Sequence, residues 1–181
     1  MKKIIAALMG AVMIVSHPVQ AAEDTYISPV YVQYCEEIGA RYRIQPEFLE
    51  AFIEAESSGI PTASNGSCHG LCQVYTAVHR DRMKRLGVSD IFDPYSNILV
   101  AADILTELFD TYGDDTAMIV MMYNGSSDAK RRAESWFFTD YANKVLNRTQ
   151  ELEALHGKHD YHKYLQKRMA EQRMRDKMKD Y

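Results

Sequence analysis

Apolar residues recur along this chain with a spacing of three and four, and the breaks between the periodic runs carry cap and turn residues. Ser28-Pro29 supplies a cap residue followed by proline at a first helical position, and Tyr31, Cys35, Ile38 and Tyr42 then keep one stripe. A helix from there to about Tyr42 is predicted. Gln45-Pro46 opens a second helix, running to Glu56. From Ser57 to His69 the chain turns rich in Gly, Ser, Asn and Pro, which predicts a loop or a small irregular hairpin with a little β structure between Ile60 and Cys68. A third helix is expected from near Leu71 to the glycine stop at Gly87. Asp93-Pro94 starts a fourth, with Ile98, Ala101, Ala102, Leu105 and Leu108 on its inner face and Gly113 at its end. Asp114 or Asp115 caps a short helix, Ala117 to Met122, that is apolar all round and so belongs in the middle of a core. A further helix begins near Thr139, with Tyr141, Val145, Leu146 and Leu152 in register. The class is all-α with minor β.

One position breaks the binary pattern. On a helical wheel with Leu49 at zero, Phe52, Ile53 and Glu56 fall at roughly 300°, 40° and 340°, so the acid shares the apolar stripe. Glu47, Glu50 and Glu54 fall at roughly 160°, 100° and 140°, which predicts a solvated face for those three. Glu56 is desolvated there and stands close to a helix C-terminus, where the macrodipole disfavours negative charge. Both effects raise its pKa, as a general acid requires. On position alone a second reading stays open, in which Glu56 is a structural acid paired with a buried arginine.

The ends of the chain differ from its body. Met1-Lys2-Lys3, the uncharged apolar stretch Ile4 to Val15, and Val19-Gln20-Ala21 have the layout of a secretory signal peptide over residues 1–21. An exported protein is therefore expected, in the cell wall or periplasm. The net charge is −4, and loss of Lys2 and Lys3 takes it to −6. The segment 157–181 holds eight Lys or Arg against four Asp or Glu, a net of +4, so the body 22–156 carries −10. Such an acidic body argues against non-specific nucleic-acid binding. The Met-rich basic tail reads as helical or disordered, with an anionic surface as its candidate contact.

Three cysteines allow at most one internal disulfide. Cys68 and Cys72, four apart, are the candidate pair if their segment is a turn entering a helix. His69 and His79 lie nearby, yet no Cys-x-x-Cys spacing occurs, and no metal site is expected.

Three short stretches lie at junctions between elements: Glu56-Ser57-Ser58, Gly70-Leu71-Cys72-Gln73 and Tyr123-Asn124-Gly125. Gly70 permits close approach to the backbone, and Gln73 and Asn124 both donate and accept hydrogen bonds, as hydroxyls and acetamido groups of a sugar require. Together with Pro61, Ala63, Asp93-Pro94, Asn97, Tyr141 and Lys144-Val145-Leu146, these stretches resemble the lytic transglycosylase family with a goose-type lysozyme fold. The resemblance runs from about Val30 to Glu151. Cys72 stands where the family usually has Met, Gly59-Ile60 replaces a common Phe-Asn, and Ala is missing from the Tyr-Asn-Ala-Gly stretch.

The resemblance implies a catalytic domain over 22–156 that cleaves the β-1,4 bond between N-acetylmuramic acid and N-acetylglucosamine in peptidoglycan. It makes Glu56 the catalytic acid and Ser57, Gly70, Leu71, Gln73, Tyr123 and Asn124 the substrate-binding set, with the Tyr123 hydroxyl directed at the acid or the sugar. No cofactor is implied. A lysozyme-like hydrolase and a non-catalytic peptidoglycan-binding relative are the alternatives. The small exported domain also makes a secretion or conjugation apparatus a candidate partner.

Overall fold

The computed structural model describes residues 25–156; the expected leader at 1–21 and basic tail at 157–181 lie outside the described residues. Pro29–Tyr42 forms α1, with proline in its first turn and Arg43 closing it in the left-handed region at φ 57°. Its buried stripe is Val32, Cys35, Ile38 and Gly39, while Tyr31 and Tyr42 sit at the edge. Pro46–Ser57 forms α2, which also begins on proline and ends at a left-handed Ser58 (φ 52°). The second helix is the spine of the molecule. Helix α1 lies along one side of it, and α7, Asp140–His156, lies along another.

That arrangement overturns the expected solvated face. Glu47 and Glu50 are fully buried, and Glu54 is 8% exposed. The wheel gives the residues that share a face, but α7 decides that this face is covered. It also brings partners for these acids. Arg148 grips Glu54 with Nε 2.6 Å from Oε2 and Nη2 3.2 Å from Oε1, and the Tyr26 amide donates to the same carboxylate at 3.1 Å. His156 Nδ1 lies 3.3 Å from Glu47 and 3.9 Å from Glu50.

The expected helix from Leu71 to Gly87 is mostly something else. Cys68–His69 (β1) and Val74–Tyr75 (β2) form a small antiparallel hairpin, with Gly70 to Gln73 as its turn and Ser64 bridging to His69. Only Arg80–Arg85 is helical (α3). The hairpin is tied down by Asn97, a fully buried side chain of α4 (Pro94–Tyr112). Asn97 accepts from the Cys72 amide at 2.7 Å and donates to the His69 and Ile91 carbonyls at 2.9 Å each. Satisfying that buried amide with loop backbone outweighs any local helical preference.

Helix α4 begins at Asp93, whose side chain accepts from the Ser96 amide at 2.9 Å, and ends at Gly113. Asp115 caps α5, Thr116–Tyr123, by accepting from the Met118 amide at 3.0 Å. As its all-round apolar pattern predicts, α5 is central, packed against α4, α7 and the short α6, Ala129–Glu134, which the sequence reading lacked. Helices dominate the described residues, so the class is all-α with minor β.

Candidate active site

Three elements meet around the last turn of α2: the hairpin, the end of α5, and the start of α7 converge on Glu56. Phe52, one turn earlier on α2, sets two of them. Its ring stands edge-on to Tyr123 of α5 at 4.9 Å and to Tyr141 of α7 at 6.4 Å. Each such pair adds about 0.5–1.5 kcal/mol beyond burial, so the tyrosines are held by the same core that holds the acid.

Glu56 is half-buried, and its Oε1 accepts a hydrogen bond from the Tyr141 hydroxyl. Burial raises the pKa of Glu56, against the smaller opposing pulls of the Tyr141 hydrogen bond and the Lys144 ammonium. Glu56 thus holds its proton more tightly than an ordinary carboxyl. Tyr141 is itself pushed far up by burial and then by the neighbouring Glu56 carboxylate, and stays a donor. None of the groups that shift Glu56 is a carboxylate. Asp93 is used as the cap of α4, and Asp81 is an exposed residue of α3.

The other predicted site residues divide sharply. Tyr123 is in the wall of the site, but its hydroxyl donates to the Cys72 carbonyl at 2.8 Å and not to the acid. The tyrosine that meets the acid is Tyr141, which the sequence placed in a helical stripe and in the resemblance but gave no role at the acid. Periodicity cannot separate a tyrosine that packs from one that also donates. Asn124 caps α5 with an exposed side chain and is available to a ligand.

Ser57 donates to the Ile53 carbonyl at 3.2 Å within its own helix, and Leu71 is a fully buried core residue, so neither offers a group to substrate. Gly70, at φ +78°, is required by the protein itself. A Cβ there would lie 2.1 Å from Asn97 Nδ2 and 2.9 Å from the Ile91 carbonyl. Gln73 occupies a left-handed turn position (φ 47°), and its amide nitrogen donates to the carbonyls of Ala63 at 3.1 Å and Gly70 at 2.9 Å. It braces the hairpin.

Cys68 and Cys72 are free thiols, as is Cys35, so the expected pair is not formed. Cys72 turns fully into the core while Cys68 stays on the half-buried strand. Burial, followed by the nearby Glu56 charge, raises both of their pKa values. Two protonated thiols therefore line the hairpin side of the acid. Among the described residues, no group of three or more His, Cys, Asp or Glu is placed to hold a metal ion.

A family profile described as the transglycosylase SLT domain matches residues 33–145, more than half of the chain. The match includes Glu56, the hairpin, Tyr123 and Tyr141. The chain is also similar to the "Transglycosylase" of Enterobacteria phage PRD1, with 32% identity over 119 residues, 64% of this chain and 42% of that protein. It spans less than half the length of that relative.

Proposed function

This chain belongs to the transglycosylase SLT domain family, and from that membership we propose that it is a peptidoglycan lytic transglycosylase acting on the bond between N-acetylmuramic acid and N-acetylglucosamine. The observation that carries the reading is Glu56: a half-buried carboxyl whose pKa burial raises, fixed by one phenol, with no carboxylate among the groups that shift it. Glycosidases that use two carboxylates hold them about 5–5.5 Å apart for retention or about 6.5–9.5 Å apart for inversion. A single acid suits a reaction in which the substrate supplies the remaining groups.

Tyr141 engages Oε1, so Oε2 is the oxygen left to carry the proton. Glu56 donates it to the glycosidic oxygen, the bond to C1 breaks, and the sugar's acetamido oxygen stabilises the electron-poor C1. Tyr141, still protonated, stabilises the carboxylate just formed. Glu56 then takes the proton of the C6 hydroxyl as that oxygen attacks C1. The product ends in a 1,6-anhydro ring, and the acid is restored. Neither water nor a cofactor enters the balance.

Digestion of purified sacculi with product masses tests this. Wild type is expected to release muropeptides with anhydro ends, and Glu56→Gln almost none. Reducing ends would show hydrolysis instead, and binding without release would leave a recognition protein. Export belongs to the same proposal and rests on the pattern at 1–21; recovery of the chain in the cytoplasmic fraction alone would refute it. No helix among the described residues is long and apolar enough to cross a membrane.

A further inference from the structure

The turn of the hairpin, Gly70 to Gln73, is held more firmly than a surface turn needs. Its two central side chains, Leu71 and Cys72, are fully buried. Its two end residues are both left-handed, Gly70 at φ 78° and Gln73 at φ 47°. For a glutamine that conformation costs about 1–2 kcal/mol, and it persists only where surrounding contacts over-determine the backbone. Here they do. Both main-chain groups of Cys72 are taken by side chains from distant helices. Asn97 of α4 accepts from its amide at 2.7 Å, and Tyr123 of α5 donates to its carbonyl at 2.8 Å. Asn97 also donates to the His69 carbonyl just ahead of the turn, at 2.9 Å.

This clamp is joined to the acid through side-chain contacts. Phe52 lies one turn before Glu56 on α2, and its ring stands edge-on to both Tyr123 and Tyr141. Tyr141 donates to Glu56, while Tyr123 donates to Cys72. One aromatic core thus fixes the acid from α7 and the hairpin from α5. The titratable groups around Glu56 are Tyr141 and Lys144 of α7, Tyr123 of α5, and Cys68 and Cys72 of the hairpin. Burial pushes both thiols and the Tyr123 phenol up, so the hairpin and α5 present no charge to the acid near neutral pH. What they supply is cover from water.

We propose that Asn97 and Tyr123 are positioning residues for the reaction: by clamping Cys72 between them they seat the hairpin as a fixed wall beside Glu56. The proposal rests on the enzymatic reading above and goes beyond it, since neither side chain touches the sugar or the acid in this role. It also removes Tyr123 from the substrate-binding set that the resemblance implies. Release of the wall admits water to Glu56. Burial is the largest cause of that acid's raised pKa, so better hydration lowers it. A general acid works only while protonated, and the alkaline limb of the activity profile then moves to lower pH. Loss of the Tyr141 hydrogen bond moves the same limb the other way.

Tyr123→Phe tests this, because it removes one hydroxyl and keeps the ring on Phe52. On peptidoglycan fragments of defined length, kcat is expected to fall about tenfold, one hydrogen bond's share. KM stays near wild type, and the alkaline limb moves to lower pH. A raised KM with an unmoved limb would make Tyr123 a sugar contact, and a limb moved to higher pH would make it a donor to the acid; either overturns the clamp. Hydrogen exchange gives a readout independent of activity. Amides of the hairpin, that of Cys72 above all, are expected to exchange faster in Tyr123→Phe and in Asn97→Ala, with α2 and α4 still protected. Unchanged exchange in the hairpin of either variant refutes that residue's part, and unfolding of the whole chain by Asn97→Ala would make Asn97 a support of the entire fold instead. Wild-type protein that releases no fragments refutes the enzymatic reading separately, and the exchange result then still decides the clamp.

Discussion

The two ends of α2 hold carboxyls that burial treats alike and surroundings treat differently. Near the start, Glu50 is fully buried beside Glu47, and neither of its oxygens has a hydrogen-bond partner among the described residues. Burial first, then the charges of Glu47, Glu54 and Glu36, push its pKa up to about 8, with Arg148 pulling the other way. At the far end burial also raises the pKa of Glu56, but this carboxyl is only half-covered and receives a phenol's hydrogen bond. A raised pKa is therefore not what marks a catalytic acid. Access for a substrate and a donor that fixes one oxygen distinguish the second site from the first.

The sharpest way to break that comparison is to neutralise each acid. Glu56→Gln should lower turnover of sacculi by at least about 10²-fold, the lower range for loss of general acid catalysis, with little change in thermal midpoint. Glu50→Gln should leave turnover near wild type; a loss comparable with that of Glu56→Gln would mean that the buried cluster takes part in the chemistry. Next in size is Arg148→Ala, which strands the buried Glu54. Leaving one partner of such a pair costs about 3 kcal/mol, or a fall of about 6–12 °C in Tm by calorimetry. An unchanged Tm would show that the pair is solvent-relaxed.

Glu50 itself predicts a pH effect on stability. Its folded pKa of about 8 exceeds its ordinary 4.5, so the folded state holds an extra proton between those values. Stability therefore falls as pH rises from the ordinary value through the folded one. Glu50→Gln removes the trend, so its Tm should exceed that of wild type by several degrees at pH 8.5 and match it at pH 4. Parallel curves for the two proteins would place the proton elsewhere. The smallest effect is Tyr141→Phe, expected to cost about tenfold in kcat, one hydrogen bond's share. The Tyr141 hydrogen bond lowers the pKa of Glu56, so its loss moves the alkaline limb of the activity profile to higher pH. A limb moving to lower pH would contradict the assigned contact.

Much of the site was legible because its supports are local. Pro29, Pro46 and Asp93-Pro94 mark helix starts through backbone geometry that depends on no distant residue, and the prediction at each start held. Glu56 stood out because a stripe of Leu49, Phe52 and Ile53 leaves no local reason for an acid. The hairpin was not legible, since its turn is held by Asn97, far along the chain on another helix. The glycine at 70 was read as room for a ligand when it is room for that asparagine. Gln73 was likewise read as a ligand's partner, although its amide is spent on loop carbonyls.

By itself the sequence determined the five longer helices, their inner stripes in outline, and an acid misplaced at the end of the second. These follow from dihedral preferences and from the spacing of side chains on one element. The tertiary structure alone decided that three further glutamates of that helix are buried and that Tyr141 and not Tyr123 meets Glu56. The reason is physical: a helical period gives the residues that share a face, whereas desolvation, pairing and pKa depend on the element that covers it.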